Sequence, residues 1–394
     1  MSMLERRLRT AWGYEDIRLL ARRRLPKVVF DFIEGGAGGE ETMRANRDAF
    51  EQVKLRPRQG NAPPATDLTA CVLGDTVRMP VLVSCCGAAL FIHPDGELGV
   101  ARASARAGTV YVVPHLGGTR CEDVRQASDG PLWYQIYHYG GREVAQSAVK
   151  RAWNAGYRTL VVNVDNGRTL RERDARNGMA QLVSANPFGA LPQFIKLLAR
   201  PGWVLRFLRT RGPKLAPNAV LPDGRPMNAQ DVVRASTRED SSFRWEDFPW
   251  LREIWPGTLV AKGILTAADA HKAVQAGCTG IIVSNHGGKT VDGLEATLRV
   301  LPEIVAAVPK DVSVLLDGGV RRGIDVIKAL CLGARAVLIG RPYMFGLSCG
   351  EPGVSRVLEL LEDDLRKSLK TLGCASIAQL GEEFVRIPAD WRHR

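Results

Sequence analysis

Eight short runs rich in β-branched residues recur along the chain from Pro80 onward, and most of the segments between them have helical periodicity. This alternation predicts βαβ units and a parallel sheet. Eight strands that are each followed by a helix form a (β/α)8 TIM barrel, so the predicted fold class is α/β. The predicted strands are Val81–Cys85, Val110–Pro114, Leu132–Tyr137, Thr159–Asp165, Thr258–Lys262, Gly280–His286, Val312–Asp317 and Ala336–Arg341.

Three segments lie outside this repeat. Residues 1–78 are predicted to form an N-terminal helical segment and a connector, residues 79–373 the barrel, and residues 374–394 a C-terminal tail. An insertion of about residues 177–250 follows strand four. Because a structureless loop of that length is uncommon in a compact domain, we expect the insertion to contain helices and to cover the site as a lid.

Polar residues occupy the last positions of six of the eight predicted strands. Barrel active sites lie at the carboxyl-terminal ends of the strands, whereas the opposite face serves stability. A single polar strand end is usually a satisfied loop contact, but six are hard to explain in that way. The sequence therefore predicts an active site built from Gln135, Tyr137, Asn163, Asp165, Lys262, Ser284, His286, Asp317 and Arg341.

Composition narrows the class of protein. The net charge is +12, with seven Lys or Arg against one acidic residue in residues 191–225, but no zinc-finger pattern occurs and we expect no nucleic-acid partner. No apolar run approaches the roughly 20 residues of a membrane span, and no signal-peptide core is present, so a cytoplasmic protein is expected. The eight cysteines form no C-x-x-C pair, which favours reduced thiols and predicts no metal site.

Glycine-rich turns follow strands seven and eight. Strand seven runs into Asp317–Gly323, which reads Asp-Gly-Gly-Val-Arg-Arg-Gly, and strand eight runs into Gly340–Pro342. Barrels often bind phosphate between these two loops, where backbone N–H groups and arginine side chains can reach the phosphate oxygens. The sequence therefore predicts a cofactor or substrate that carries phosphate.

A histidine, His286, closes strand six within the run Ser284–Gly288. A lone histidine is more often a core residue, but the two glycines that follow this one leave room for a ligand. Imidazole is suited to removing a proton near neutral pH. Asp165, at the end of strand four, could orient the ring and stabilise its protonated form. We therefore predict that His286 is a catalytic base.

These motifs resemble the FMN-dependent α-hydroxy-acid oxidase and dehydrogenase family, which includes glycolate oxidases, L-lactate dehydrogenases and mandelate dehydrogenases. The resemblance extends from Leu25 to near Gly373. It implies that FMN is the cofactor and that the enzyme oxidises a C–H next to a hydroxyl, with electrons passing to flavin N5. Its most specific parts are Lys262-Gly263, Ser284–Gly288, Leu316–Gly323 and Ile339–Pro342.

The resemblance also implies a role for each matching residue. His286 would be the base and Asp165 its partner, Lys262 would lie near flavin N1 and O2, Tyr137 would be the active-site tyrosine, and Arg171 would bind the substrate carboxylate. The other cofactor contacts would come from Gly87, Gln135, Asn163, Ser284, Asp317, Gly319, Arg321, Gly340 and Arg341.

Positions on the substrate side depart from the family. A tyrosine of the N-terminal segment is replaced by Phe32, the arginine three residues after the histidine is replaced by Lys289, and Leu116 lies where a serine and often an aromatic residue are usual. Lysine offers a point charge in place of a planar fork. We expect the flavin chemistry to be retained and the substrate to be a larger 2-hydroxy acid or related metabolite, with lactate and glycolate poor substrates.

Several alternatives stay open at this point. The substrate could be an amine or a peptide-derived biosynthetic intermediate. An FMN-dependent isomerase is a further alternative, which Ser284–Gly288 disfavours.

Residues 203–208 of the insertion are apolar residues among arginines. They fit either a lid helix, which we favour, or a basic helix at a membrane surface. The electron acceptor could be oxygen, a quinone or a protein. A homo-oligomer, a tetramer, is expected because related barrels often form one.

Overall fold

The computed structural model describes residues 3–61, 63–165, 171–177, 196–209, 215–236, 238 and 241–391. In these residues eight parallel strands close into a barrel, in which each strand pairs with the next and the last with the first. The predicted (β/α)8 fold is therefore confirmed. The strands are β1 (Val81–Val83), β2 (Tyr111–Val113), β3 (Leu132–Ile136), β4 (Thr159–Asn163), β5 (Thr258–Ile264), β6 (Gly280–Val283), β7 (Ser313–Leu316) and β8 (Ala336–Ile339).

The barrel strands consist of residues that can be buried on both faces. Every residue of β3 and of β4 is buried, as expected for a parallel sheet that helices cover. Alternate residues fill the interior, which makes it a packed core and not a channel. This interior includes Leu82, Val112, Trp133, Val161, Val260, Ile282, Leu315 and Leu338.

The strands end earlier than predicted, except for β5, which continues to Ile264. The physical reason is clearest after β6, where His286 has a φ of +57°, a left-handed conformation that a strand does not contain. The side chains predicted to close the strands therefore divide into two groups. Gln135, Asn163 and Lys262 lie within strands, whereas Tyr137, Asp165, Ser284, His286, Asp317 and Arg341 follow them.

Helices precede, surround and follow the barrel. In chain order, the described helices are α1 (Met3–Arg9), α2 (Tyr14–Arg24), α3 (Lys27–Glu34), α4 (Glu41–Gln52), α5 (Ala89–Ile92), α6 (Gly96–Arg106), α7 (Cys121–Gln126), α8 (Gly141–Asn154), α9 (Glu172–Asn177), α10 (Pro201–Arg209), α11 (Ala229–Ser236), α12 (Phe248–Ile254), α13 (Ala267–Gln275), α14 (Thr297–Ala307), α15 (Gly323–Cys331), α16 (Arg341–Leu347) and α17 (Glu351–Thr371).

Short antiparallel strand pairs and single-turn 3-10 helices also lie outside the barrel; the latter are Trp245–Asp247, Ile377–Gln379, Glu382–Phe384 and Ala389–Trp391. Lys54–Leu55 pairs with Val385–Arg386, which joins the N-terminal connector to the C-terminal tail. A second pair joins Ala70–Val72 to Asp75–Val77. The third pair, called the lid hairpin below, lies in the insertion and joins Leu215–Val220 to Pro226–Asn228.

The insertion contributes α10 to α12 and the lid hairpin to the described structure. Residues 178–195, 210–214, 237 and 239–240 of the predicted lid lie outside the described residues. Ala219 and Met227 of the lid hairpin pack against Tyr137 and Tyr139, which follow β3. This part of the insertion therefore lies at the carboxyl-terminal face of the barrel, where the predicted site residues are.

Candidate active site

The imidazole of His286 is held from the side by Asp165. Its Nδ1 lies 2.6 Å from Oδ2 of Asp165, and its main-chain N–H donates to Oγ of Ser284 at 3.1 Å. The φ of +57° is costly for a residue with a side chain, and such strain is found mostly at functional sites. Gly287 and Gly288 also have positive φ, so the chain turns sharply after the histidine.

The carboxylate of Asp165 is built to remain ionised. Burial raises its pKa, but the charge of His286, its hydrogen bond and the charge of Lys262 outweigh burial and hold the pKa of Asp165 below its usual range. Asn163 donates to the second oxygen, Oδ1, at 2.8 Å. Because an ionised carboxylate can only accept, Nδ1 of His286 carries the proton and Nε2 of a neutral ring is the acceptor.

The hydroxyl of Tyr137 lies 3.2 Å from this Nε2 atom of His286. The Tyr137 ring stacks on Tyr139 with ring centroids 4.8 Å apart. His115 accepts from the main-chain N–H of Tyr137 through Nδ1 at 3.4 Å, and burial lowers the pKa of His115 to about 3, which keeps its ring neutral. The tyrosine is therefore fixed from two sides with its hydroxyl directed at the base.

Lys262 is a buried, charged lysine. Its Nζ donates to Oγ of Ser284 at 2.9 Å and lies 3.2 Å from Oδ2 of Asp317. Burial lowers the pKa of Lys262, but the negative charges of Asp317 and Asp165 outweigh it, so the pKa lies well above the usual range. The site thus contains a permanent positive charge next to the carboxylate–imidazole pair.

Helix α3 ends at Glu34, and cationic side chains satisfy its last carbonyl oxygens. Lys289 donates to the carbonyls of Phe32 at 2.9 Å and Ile33 at 3.1 Å, and Arg171 donates to that of Phe32 at 2.8 Å. The carbonyl end of a helix carries partial negative charge and is normally left with unsatisfied acceptors. These contacts therefore hold two cations at the wall of the site.

The ring of Phe32 lies beside both cations. Cζ of Arg171 is 5.0 Å and Nζ of Lys289 is 5.5 Å from the ring centroid, within the range of a cation–π contact. Burial, followed by the charges of Arg171 and Arg341, holds the pKa of Lys289 well below its usual range. A negatively charged ligand at this wall would stabilise the protonated form of Lys289 beside Arg171 and Arg341.

Arg341, predicted to bind phosphate, gives its hydrogen bonds to the main chain. Its donors reach the carbonyls of Glu34 at 3.0 Å, Gly35 at 3.0 Å and Gly287 at 2.8 Å. Burial, followed by the charge of Arg321, lowers the pKa of Arg341 to about 10. The guanidinium groups of Arg321 and Arg341 are close enough for the charge of one to disfavour the charge of the other. A bound anion would stabilise both charges.

A cavity of about 280 Å³ opens at this face of the barrel. Four predicted site residues are not part of its wall: Gln135, Asn163 and Ser284, which are buried, and Asp165, which contacts the wall residue His286. The other predicted site residues are brought together there. They are Phe32, Gly87, Leu116, Tyr137, Arg171, Lys262, His286, Lys289, Asp317, Gly319, Arg321, Gly340 and Arg341.

Unsatisfied polar atoms indicate what this site is built to bind. Within the described part of the chain, Nε2 of Gln135, Oδ1 of Asn163 and Oδ1 of Asp317 are buried without a hydrogen-bond partner. Buried polar groups are normally paired, so each of these atoms needs a ligand or water. One free donor and two free acceptors suit the polar edge of a flavin and its ribityl chain, and the Arg321–Arg341 pair suits its phosphate. The residues present therefore fit FMN.

The cavity wall also contains residues that were not predicted to contact a ligand. Cys85 and Cys86 belong to the loop after β1, and Val232 belongs to α11 of the insertion. The two cysteines lie at and directly after the end of the first predicted strand, next to Gly87, which was predicted to contact the cofactor. Val232 carries no sequence signal, because its place depends on how the insertion packs on the barrel.

Residues 21–387 match the family of FMN-dependent dehydrogenases. The chain belongs to this family. An (S)-mandelate dehydrogenase from Pseudomonas putida is 39% identical over 379 residues, covering 95% of this chain and 94% of that protein. An L-lactate oxidase from a Nostoc species is 37% identical over 375 residues, covering 93% and 96%. The structure of the monotopic membrane protein (S)-mandelate dehydrogenase superposes with a TM-score of 0.88 at 37% identity, covering 96% of this chain and 100% of that chain.

Membership in the FMN-dependent dehydrogenase family confirms the cofactor and the class of reaction predicted from sequence. The protein is an FMN-dependent oxidoreductase that acts on CH–OH donors. The amine-oxidase and isomerase alternatives find no support among these relatives. Among the residues that the structure describes, each helix is too short or too polar to span a membrane.

Proposed function

We propose that this enzyme oxidises 2-hydroxy acids to 2-oxo acids, with His286 as the catalytic base. The observation that carries the proposal is that His286, held by Asp165 at 2.6 Å, lines the same cavity as the cations of Arg171 and Lys289. A cation and a base in one cavity match a substrate that has a carboxylate next to its reacting CH–OH group. The relatives named above act, by their names, on mandelate and lactate, both of which are 2-hydroxy acids.

The proton goes to Nε2 of His286. Asp165 fixes the tautomer through Nδ1 and stabilises the charge that the ring gains when Nε2 accepts a proton from the CH–OH group. Tyr137, 3.2 Å from Nε2, holds its hydroxyl where the substrate oxygen would enter. When bound, FMN supplies the acceptor for the two electrons that leave the substrate.

The cofactor would be held by residues with separate tasks. Lys262 would place its charge against the flavin. The predicted contacts of Gln135 and Asn163 with its polar edge are supported by their unsatisfied amide atoms, although neither residue lines the cavity. The other contacts would come from Gly87, Asp317, Gly319, Arg321, Gly340 and Arg341 of the cavity wall and from Ser284, which accepts from Lys262.

The substrate carboxylate would be held by Arg171 and Lys289. Lys289 already gives two of its N–H groups to helix α3, so one remains for the carboxylate. Phe32 contributes a ring and no hydroxyl. Small 2-hydroxy acids, which depend most on carboxylate contacts, are therefore expected to bind weakly, in line with the prediction that lactate and glycolate are poor substrates.

The test is anaerobic bleaching of the purified, FMN-loaded enzyme by a panel of 2-hydroxy acids, with the matching 2-amino acids as controls. The proposal predicts that 2-hydroxy acids bleach the flavin, that amino acids do not, and that lactate and glycolate are slower than larger members. Bleaching by the amino acids, or by no 2-hydroxy acid, would contradict it.

We also propose that α10 contacts a membrane surface. Trp203 anchors the helix by donating to the carbonyl of Phe91 at 2.9 Å, whereas Leu205 and Leu208 of α10 and the preceding Leu198 are 60% to 68% exposed. Leucines beside arginines favour an anionic membrane surface, and one relative is described as a monotopic membrane protein. Sequence alone favours a lid helix here, whereas the exposed leucines favour the alternative of a basic helix at a membrane surface.

Flotation with vesicles tests the membrane contact. The chain is expected to float with anionic vesicles, to float less with neutral ones, and to lose most binding in Leu205→Ser/Leu208→Ser. Leu19→Ser, which alters a half-exposed leucine on α2, is the matched control and should not change flotation. Equal flotation of the double variant and the control would contradict the proposal.

A further inference from the structure

Two chemically different groups of residues line the cavity. Arg171 and Lys289 form a cationic group, while Leu116 and Val232 form an apolar group. Both apolar residues pack against the cluster of Tyr137 and its neighbours. The carboxylate and the side chain of a 2-hydroxy acid are both attached to C2, so the cationic group would hold the charged end of the substrate and the apolar group its side chain.

The insertion holds Val232 in a defined place through the N-terminus of α11. Asn228 caps this helix, because its Oδ1 accepts from the main-chain N–H groups of Gln230 at 2.8 Å and Asp231 at 3.0 Å. The side chain of Asp231 accepts in return from the N–H of Asn228 at 3.0 Å, which completes a capping box. Met227, just before the cap, and Val232 belong to the same apolar cluster, as in a hydrophobic staple.

The lid hairpin that precedes α11 is itself attached to the barrel. The side chain of Asn218 accepts from the N–H of Cys121 at 2.8 Å and donates to the carbonyl of Thr119 at 3.0 Å. Both partners follow Leu116 in the segment after β2. The hairpin, α11 and Leu116 therefore form one connected unit, and Val232 is a fixed part of the wall.

We infer that Val232 and Leu116 receive the C2 side chain of the substrate and that Val232 sets the largest side chain the enzyme accepts. The inference rests on the proposed oxidation of 2-hydroxy acids and names the class: acids whose C2 carries an apolar group larger than methyl. In a hydrophobic pocket one methylene changes kcat/KM by roughly ten-fold or more. A valine at this position should therefore discriminate strongly between side chains.

The neighbouring valine provides a matched control. Val233 is 53% exposed and is not part of the cavity wall, whereas Val232 is. Val232→Phe fills the apolar end and Val233→Phe adds the same volume outside it. Val232→Ala enlarges the apolar end and serves as a second variant if the larger side chain disturbs folding, which FMN content and the melting temperature would reveal.

The experiment measures anaerobic flavin bleaching of each holoenzyme by glycolate, L-lactate, 2-hydroxybutyrate and (S)-mandelate, together with binding of the corresponding 2-oxo acids followed by the flavin spectrum. Val232→Phe is expected to lower kcat/KM for mandelate by about ten-fold or more and to weaken binding of its 2-oxo acid, with glycolate changed less than about two-fold. Val232→Ala should shift the preference towards larger side chains, and Val233→Phe should match the wild type.

The outcomes separate this inference from the function on which it rests. If no 2-hydroxy acid bleaches the wild type, the proposed function fails and this inference with it. If the wild type is bleached but Val232→Phe and Val232→Ala keep its order of substrates, or Val233→Phe shifts that order equally, only the inference is overturned.

Discussion

Asp165 accepts a hydrogen bond on each oxygen, from His286 on Oδ2 and from Asn163 on Oδ1. The second bond draws negative charge away from the imidazole. Asp165 holds His286 in one tautomer. The bond from Asn163 lowers the basicity of that carboxylate. At the scale of single residues, this contact tunes the strength of the proposed base.

Asn163→Leu is expected to move the acidic limb of the kcat/KM profile to higher pH. Without the donor, Asp165 keeps more negative charge, protonated His286 becomes more stable, and the base is lost at a higher pH. A hydrogen bond worth about 1 kcal/mol corresponds to a shift of somewhat under one pH unit. Asn163→Gln keeps an amide and should restore part of the shift; an unchanged profile in Asn163→Leu contradicts the argument. FMN affinity, measured by fluorescence, is checked separately.

Lys289→Arg is expected to lower KM for a 2-hydroxy acid by about three- to ten-fold, since a guanidinium binds a carboxylate through two donors. The pKa of Lys289 is lowered by burial, Arg171 and Arg341. In the wild type KM should therefore rise as Lys289 loses its proton with increasing pH. The arginine stays charged, so that rise should vanish while kcat changes little. An alkaline rise in KM that persists in the variant would exclude Lys289 as its source.

Some of these residues were predictable and others were not. His286, Asp165 and Lys262 are predicted from sequence at the carboxyl-terminal ends of three strands, so barrel topology alone brings them to one face. The contact of Lys289 with Phe32 joins positions 257 residues apart, and no local pattern encodes it. Asn163 could be placed at a strand end, but its bond to Asp165 depends on a side-chain rotation that the sequence does not specify.

Among the elements, α3 and the loop after β7 define the anion-binding parts of the site. The end of α3 orients cations through its carbonyls, while the loop relies on glycine. Gly319 has a φ of +90°, and a Cβ there would lie 2.5 Å from the carbonyl oxygen of Asn46. The loop therefore packs against α4 at a distance that no other residue permits.

Gly319→Ala is expected to weaken FMN binding by at least ten-fold and to lower the melting temperature, because the loop must move away from Asn46. Gly74 is the matched control: its φ is +93°, yet a Cβ there would meet no atom within 4 Å. Gly74→Ala carries only the backbone strain, about 1 kcal/mol or somewhat more. Fluorescence titration with FMN and thermal melts compare the two variants. Equal effects would show that strain, and not the contact with Asn46, sets the requirement for glycine.

The element boundaries show where prediction from sequence reaches its limit. The order and number of barrel strands followed from the periodicity, but their carboxyl-terminal ends did not. At those ends the backbone stops pairing with the neighbouring strand, as it does before His286. The left-handed φ of His286 cannot be predicted from the pattern of hydrophobic residues. The sequence likewise predicted a covering insertion but not the lid hairpin within it. The hairpin packs against Tyr137, which is distant in sequence, and no local pattern encodes that contact.

At the scale of the whole molecule, one polypeptide surrounds the flavin site from three directions. The barrel supplies His286 and Lys262, the N-terminal segment supplies the Phe32 wall, and the insertion supplies Val232. A homo-oligomer, expected from the family resemblance, stays a prediction that light scattering can test. The charge of +12 suits contact with an anionic membrane surface, as proposed for α10.

The central claim is that His286 removes the substrate proton in an FMN-dependent oxidation. The most direct measurement is stopped-flow bleaching of the flavin in His286→Ala under anaerobic conditions, with a 2-hydroxy acid that the wild type oxidises. The variant is expected to purify with FMN bound and to retain its yellow colour, because His286 is not needed to hold the cofactor. Its bleaching rate should fall by roughly 10²–10⁴-fold, the usual contribution of general base catalysis. Bleaching at the wild-type rate would contradict the assignment.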